Sequence, residues 1–164
     1  MSGSALTALL EGSRPLLVEV QALAAKSAYG TSQRVSTGFD GRRLALLLAV
    51  LEKRAGLPFV QLDVFVNVVG GIRISEPSAD LAVAAALAST VHDRPLPTDS
   101  AFIGEVGLGG EVRPVSQTDR RIAEAVNMGL SRIYVAKRSA GRPPTGTDVR
   151  GVLSVGDLFN QIFS

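Results

Sequence analysis

The sequence predicts an α+β fold, a sandwich of helices packed on a mixed sheet. Three observations carry this. Asp63-Val64-Phe65-Val66-Asn67-Val68-Val69 is a nearly continuous β-branched and aromatic run, as a central strand covered on both faces requires. Arg42 to Arg54 places Leu44, Leu47, Leu48 and Leu51 at i, i+3, i+4 and i+7, the stripe of an amphipathic helix. Strand and helix patterns then interleave in a way that needs both hairpins and crossovers, which is the mixture of an α+β sandwich.

Along the chain, Leu16 to Leu23 and Gln33 to Phe39 read as strands, bounded by Pro15 and the turn at Ala28 to Ser32, and together predict a hairpin. Residues 1–12 are expected to be a tail or linker, with Ser2-Gly3-Ser4 resembling an appended sequence. The leucine helix is stopped by Gly56 and Pro58. After the central strand and the Gly70-Gly71 break, an alanine-rich helix runs from about Ser78 to Val91 and closes at Arg94-Pro95-Leu96-Pro97. Phe102 to Val106 and Glu111 to Val115 form a hairpin across Gly107-Leu108-Gly109-Gly110. A third helix covers Asp119 to Met128 and ends at Gly129. Arg132 to Ala136 is a strand, Ser139 to Thr147 a loop, and Ser154 to Phe163 a closing helix. The predicted order is β-β-α-β-α-β-β-α-β-α, without internal repeats.

Composition narrows the chemistry. At 164 residues and 46% apolar content, one globular domain over 1–164 is expected, with a sizeable core. Zero cysteines remove disulfides, thiol nucleophiles and thiolate metal sites, and with His92 the single histidine no zinc site is expected. No apolar run reaches the ~18 residues of a membrane span, so a soluble chain with no membrane partner is expected, and the absence of cysteine fits a reducing compartment such as the cytoplasm. The net charge is only +2, but Lys26, Lys53 and Lys137 are the only lysines among 17 basic residues, which leaves 14 arginines. Guanidinium forks suit phosphates, although codon bias also enriches arginine.

The chemistry-bearing motif is Glu76-Pro77-Ser78-Ala79-Asp80, followed by Gly104-Glu105 through Val112-Arg113-Pro114, with Arg121 standing 43 residues after Ser78. This resembles a Lon-type serine protease domain, in which a turn carries the nucleophilic serine and a lysine base follows at that spacing. Ser78 and Arg121 then occupy degenerate protease positions. A lysine can be made neutral by burial and accept the serine proton, but a guanidinium accepts none, so peptide hydrolysis is not expected and no residue is assigned as catalytic. Ser78 is instead expected as a helix cap or scaffold residue. Asp80 would repel a developing oxyanion. A Ser78, His92, Asp93 triad fails because one helix separates its members by roughly 20 Å at 1.5 Å per residue. The glycines of 104–110 read as a hairpin rather than a phosphate cradle.

Asp63 to Gly71, Ala79-Asp80-Leu81-Ala82, Asp93 to Pro97 and Gly104 to Leu108, with Arg14 to Leu23 and Arg42-Arg43-Leu44-Ala45 upstream, resemble the carboxy-terminal Lon-like domain of the RadA (Sms) family. Arginine at the base position is also that family's pattern. The resemblance implies a ribosomal protein S5 domain 2-like fold in a non-proteolytic scaffold that assembles hexameric rings. It implies contact with single-stranded and branched DNA, and work with the RecA recombinase in a repair ATPase. ATP, magnesium and zinc are expected only in modules that this chain lacks, since it contains no Gly-x-x-x-x-Gly-Lys-Ser/Thr. Arg34, Arg42, Arg43, Arg73, Arg113, Arg120 and Arg121 are the arginines expected to contact phosphates, with Arg43 and Arg113 foremost. The alternatives are a serine-dependent peptidase with an unusual base, or a module for oligomerisation or RecA docking alone.

Overall fold

The computed structural model describes every residue except Tyr29, Gly141, Arg142, Pro143 and Thr145. Its fold is mixed α/β, with four α-helices, a four-stranded sheet, a three-stranded sheet and a two-stranded ribbon among the described residues. Strands β1 (Ser4–Glu11) and β2 (Arg14–Lys26) form an antiparallel hairpin turned at Gly12, whose φ of 65° suits glycine. β2 pairs antiparallel with β4 (Leu62–Val68), and β3 (Arg34–Thr37) joins β4 in parallel, giving the order β1-β2-β4-β3.

Two expectations are corrected here. Residues 1–12 are not a tail, because β1 alternates Ala5, Thr7 and Leu9 into one core while Ala8 faces another. Ser2-Gly3-Ser4 is likewise part of the fold: Gly3 receives the Ala22 amide at 2.7 Å and donates to Ser89 Oγ at 2.8 Å. The strands at 16–23 and 33–39 do not form a hairpin with each other. β3 pairs with β4 instead, because helix α1 (Gly41–Ala55) returns the chain over the sheet between them as a crossover.

Helix α1 begins at Asp40, whose carboxylate accepts the Arg42 amide, and ends at Gly56 with a left-handed φ of 70°. Its leucine stripe, Leu44, Leu47, Leu48 and Leu51, is buried as predicted. Helix α2 (Asp80–His92) is different: every residue from Asp80 to Ser89 is buried. Alanine suits this, because small side chains let the sheet and the neighbouring helices approach one axis from all sides.

The second sheet, β5 (Ser100–Ile103), β8 (Arg132–Ala136) and β9 (Asp148–Val152), is parallel throughout in the order β5-β8-β9. β9 was not anticipated, since Arg150-Gly151 interrupts its apolar pattern. Part of the expected loop at 139–147 lies outside the described residues. The expected glycine-rich hairpin is present in shorter form as β6 (Glu105–Val106) and β7 (Val112–Arg113). Helix α3 (Thr118–Asn127) covers β1 with Ile122 and Ala125, and α4 (Val155–Phe163) closes the larger core with Val155, Leu158 and Phe159. Among the described residues no helix is long and apolar enough to cross a membrane, and no cluster of three or more metal-ligating side chains is found.

Candidate functional site

The site gathers where β4 ends. Past the Gly70-Gly71 break the chain reaches Glu76, and Pro77 opens a single 3-10 turn (Pro77–Ala79) that leads into α2. Ser78 sits in that turn, 1% exposed. Opposite it, α3 presents Arg121, which is 3% exposed. The 43-residue spacing read from the sequence therefore corresponds to direct contact, since Arg121 Nη1 donates to Ser78 Oγ at 2.9 Å.

Ser78 does not cap α2. Its hydroxyl donates to the Glu76 carboxylate and accepts from Arg121, so both of its roles are taken within the cluster. Arg121 pairs with the same carboxylate oxygen of Glu76. It also donates to Ala8 O at 3.0 Å and, through Nε, to Ser116 O at 2.8 Å. The second Glu76 oxygen accepts the Leu10 amide at 3.2 Å. A buried cation without partners would cost several kcal/mol, and here carboxylate, hydroxyl and two carbonyls surround it. Glu76 is the member that sequence reasoning names as a conceivable base but leaves unplaced. Its position two residues before Ser78 was the available signal, but a carboxylate at that distance points at a serine only once the intervening proline fixes the turn.

A second ion pair lies one turn further on. Asp80, fully buried, accepts Arg43 Nε at 3.0 Å, a second close contact from Arg43 Nη2, and the Val106 amide at 3.1 Å. Burial pushes the Asp80 carboxyl above the usual aspartate range, and the Arg43 guanidinium and the Val106 amide oppose that shift. Asp80 in turn raises the Arg43 guanidinium further. Three donors converge on the two oxygens of Asp80. Arg43 Nη2 also reaches Val106 O at 3.3 Å, so this pair fixes β6 to α1 and α2.

The seven arginines expected at a phosphate surface thus divide. Arg121 is internal, and Arg43, 29% exposed in its side chain, is paired with Asp80 at the edge of a surface cleft. Arg34 donates to Leu62 O at 2.5 Å and Phe59 O at 2.8 Å, closing the turn before β4. Arg42 is exposed in the first turn of α1, and Arg73 is exposed at a cleft of about 810 Å³ beside the end of β3. Arg113 is exposed and forks onto Glu111 at 2.8 and 3.0 Å, an arrangement that holds the Glu111 carboxyl below its usual range. Arg120 is exposed at the start of α3 and donates to Gln117 Oε1 at 2.9 Å. His92 is the last residue of α2, edge-on to Phe163 at 4.9 Å, and the imagined triad is split by the length of the helix.

The family model described as subunit ChlI of Mg-chelatase matches residues 41–139, from the start of α1 past the end of β8. The chain belongs to this family. Among curated proteins it is similar to DNA repair protein RadA of Streptococcus pyogenes serotype M1, with 42% identity over 99% of this chain and 36% of that protein. It is 48% identical to DNA repair protein RadA of Salmonella typhimurium strain LT2 over 97% of this chain and 35% of the relative. The corresponding protein of Escherichia coli strain K12 is 47% identical over the same shares. The resemblance to RadA read from the sequence is thereby shown along nearly the whole chain. The chain spans about a third of the length of these relatives.

Proposed function

We propose that the chain is a non-proteolytic, Lon-like scaffold and DNA-binding domain of a RadA-type repair and recombination protein. The observation that carries the non-proteolytic part is the contact of Arg121 with Ser78 and Glu76. The serine faces a permanent cation where a protease needs a neutral base, and its oxygen is already accepting a hydrogen bond. The turn, ribbon and helix that bring Ser78 to Arg121 support a Lon-like, ribosomal protein S5 domain 2-like sandwich. The RadA similarity supports a role in DNA repair. In the complete protein this role is branch migration of recombination intermediates with RecA, on a hexameric ring in the bacterial cytoplasm near the nucleoid. ATP, magnesium and zinc belong to modules outside this chain.

Arg42, Arg113 and Arg120 are exposed, stand outside the cleft that holds Asp40, Glu76 and Glu105, and supply the phosphate contacts in this reading. Contacts of this kind are sequence-independent and salt-sensitive. Fluorescence anisotropy of the chain with labelled single-stranded and duplex DNA across a salt series tests it. Binding should weaken steeply with salt, and Arg42→Ala with Arg120→Ala should reduce the log–log slope by about 2. No binding at low salt would leave a scaffold of assembly or RecA docking alone.

The hydrogen bond from Ser78 to Glu76 favours one other reading, a peptidase in which Glu76 is the base. Labelling of Ser78 by a fluorophosphonate, abolished in Ser78→Ala, would establish it. The expected result is no labelling, since Glu76 is held by Arg121 and Ser78 is buried.

A further inference from the structure

We infer that the free edge of β3 and the adjoining cleft form a docking site for an extended segment of a partner protein, added to the sheet as a fifth strand. β3 is the outermost strand of the β1-β2-β4-β3 sheet. Its pairing with β4 is parallel, and Gln33 O accepts the Val64 amide at 2.9 Å. In a parallel ladder, alternate residues of a strand turn both main-chain groups to the same neighbour. Residues 33, 35 and 37 therefore address β4, and Arg34 and Ser36 turn their N–H and C=O groups outward. Among the described residues no other backbone group pairs with that edge until Gly38, whose carbonyl accepts the Ile74 amide at 2.7 Å. The segment at Ile74 thus continues the line that an added strand would follow, and an incoming chain would run along Arg34 and Ser36 into the cleft.

The two faces of such a strand would meet different surroundings. On the outer face, Leu23, Phe65 and Val35 are register partners across three strands, and Leu23 is 57% and Val35 45% exposed. This apolar row stops at the open edge, where a further apolar side chain would extend it. On the inner face lies the cleft of about 810 Å³, which Ser36 lines together with Arg73 and Glu105. Arg73 and Glu105 enter none of the ion pairs among the described residues.

Charge decides what kind of partner fits. The cleft carries three carboxylates, Asp40, Glu76 and Glu105, against the guanidiniums of Arg43 and Arg73. A polyanion would be repelled, so nucleic acid is not the occupant of this surface. A polypeptide fits: main-chain groups for Arg34 and Ser36, apolar side chains outward beside Val35, and charged ones inward, acidic toward Arg73 and basic toward Glu105. The site is separate from the exposed Arg42, Arg113 and Arg120, so it stands whether or not the chain binds DNA.

The test is nitrogen-15 amide spectra of the chain titrated with an acetylated peptide of about ten residues that repeats Val-Lys-Val-Glu, the strand period of two, beside a shuffled peptide of the same composition. The alternating peptide should shift the amides of Arg34, Ser36 and Ile74, and the shuffled one should not. Ser36→Pro removes an outward N–H, which an edge strand tolerates, and should weaken binding about tenfold, the equivalent of roughly 1.4 kcal/mol. Glu105→Arg, which leaves the strand intact, should reverse the preference between peptides with lysine or glutamate at the inward positions. The inference is overturned if both peptides act alike or neither binds, or if the variants bind unchanged. It also falls if the same amides shift with protein concentration alone, which would make a second copy the occupant, or on titration with oligothymidylate.

Discussion

Arg121 holds four groups from three parts of the chain, and its removal should show how much they depend on it. Arg121→Ala leaves Glu76 beside an emptied, largely dry space, and breaking a buried pair from one side costs about 3 to 5 kcal/mol. Urea unfolding should show that loss, with part of it recovered in Arg121→Met combined with Glu76→Gln, where no charge is stranded. Arg43→Ala strands Asp80 in the same way but with a pH signature. Burial already places the Asp80 carboxyl above its unfolded value, and losing the guanidinium removes the largest opposing influence. A carboxyl raised by folding binds its proton more tightly in the folded state, so its contribution to stability falls as pH rises through that range and returns as pH drops. The deficit of Arg43→Ala relative to the parent should be about 3 kcal/mol at neutral pH and should shrink toward the ordinary aspartate range, as read from urea midpoints. Ser78 and Arg121 were legible as a pair through the resemblance to the Lon serine turn and the 43-residue spacing that it implies. Glu76 was not, because a one-dimensional reading gives no direction to its side chain.

At the scale of elements, the helices were the most legible parts and the strand pairings the least. α1 announces itself by a leucine stripe with a cap at each end, and those signals are local. β3 gives no such information about its neighbour: four residues pair equally well with either flanking strand, and α1 decides by carrying the chain across the sheet. β1 was read as a tail because Ser4 to Glu11 sits so near the start, yet its burial alternates as a strand between two cores requires. Deletion of residues 1–11 should therefore expose Val18 and Val20 on one side and Ile103 and Ile122 on the other. Such a chain should lose its cooperative thermal transition in circular dichroism, whereas a dispensable tail would leave the transition where it was.

For the molecule as a whole, the α+β character followed from the alternation of patterns, and the RadA resemblance from blocks whose order and spacing match. The division into a four-stranded and a three-stranded sheet did not, because it turns on β9 and on β5 pairing with β8 rather than continuing the ribbon. Both depend on contacts between distant segments. The same property bears on when the fold can be completed. The Arg121 guanidinium reaches Ala8 O across 113 residues of sequence, so β1 leaves a ribosome more than a hundred residues ahead of the helix that fastens it. At roughly 5 to 20 residues per second of synthesis, β1 and β2 exist for several seconds as a hairpin with one apolar face open. During that interval the nascent chain is at its most vulnerable to association with its neighbours, and translation speed across the α2 to α3 region sets how long the exposure lasts.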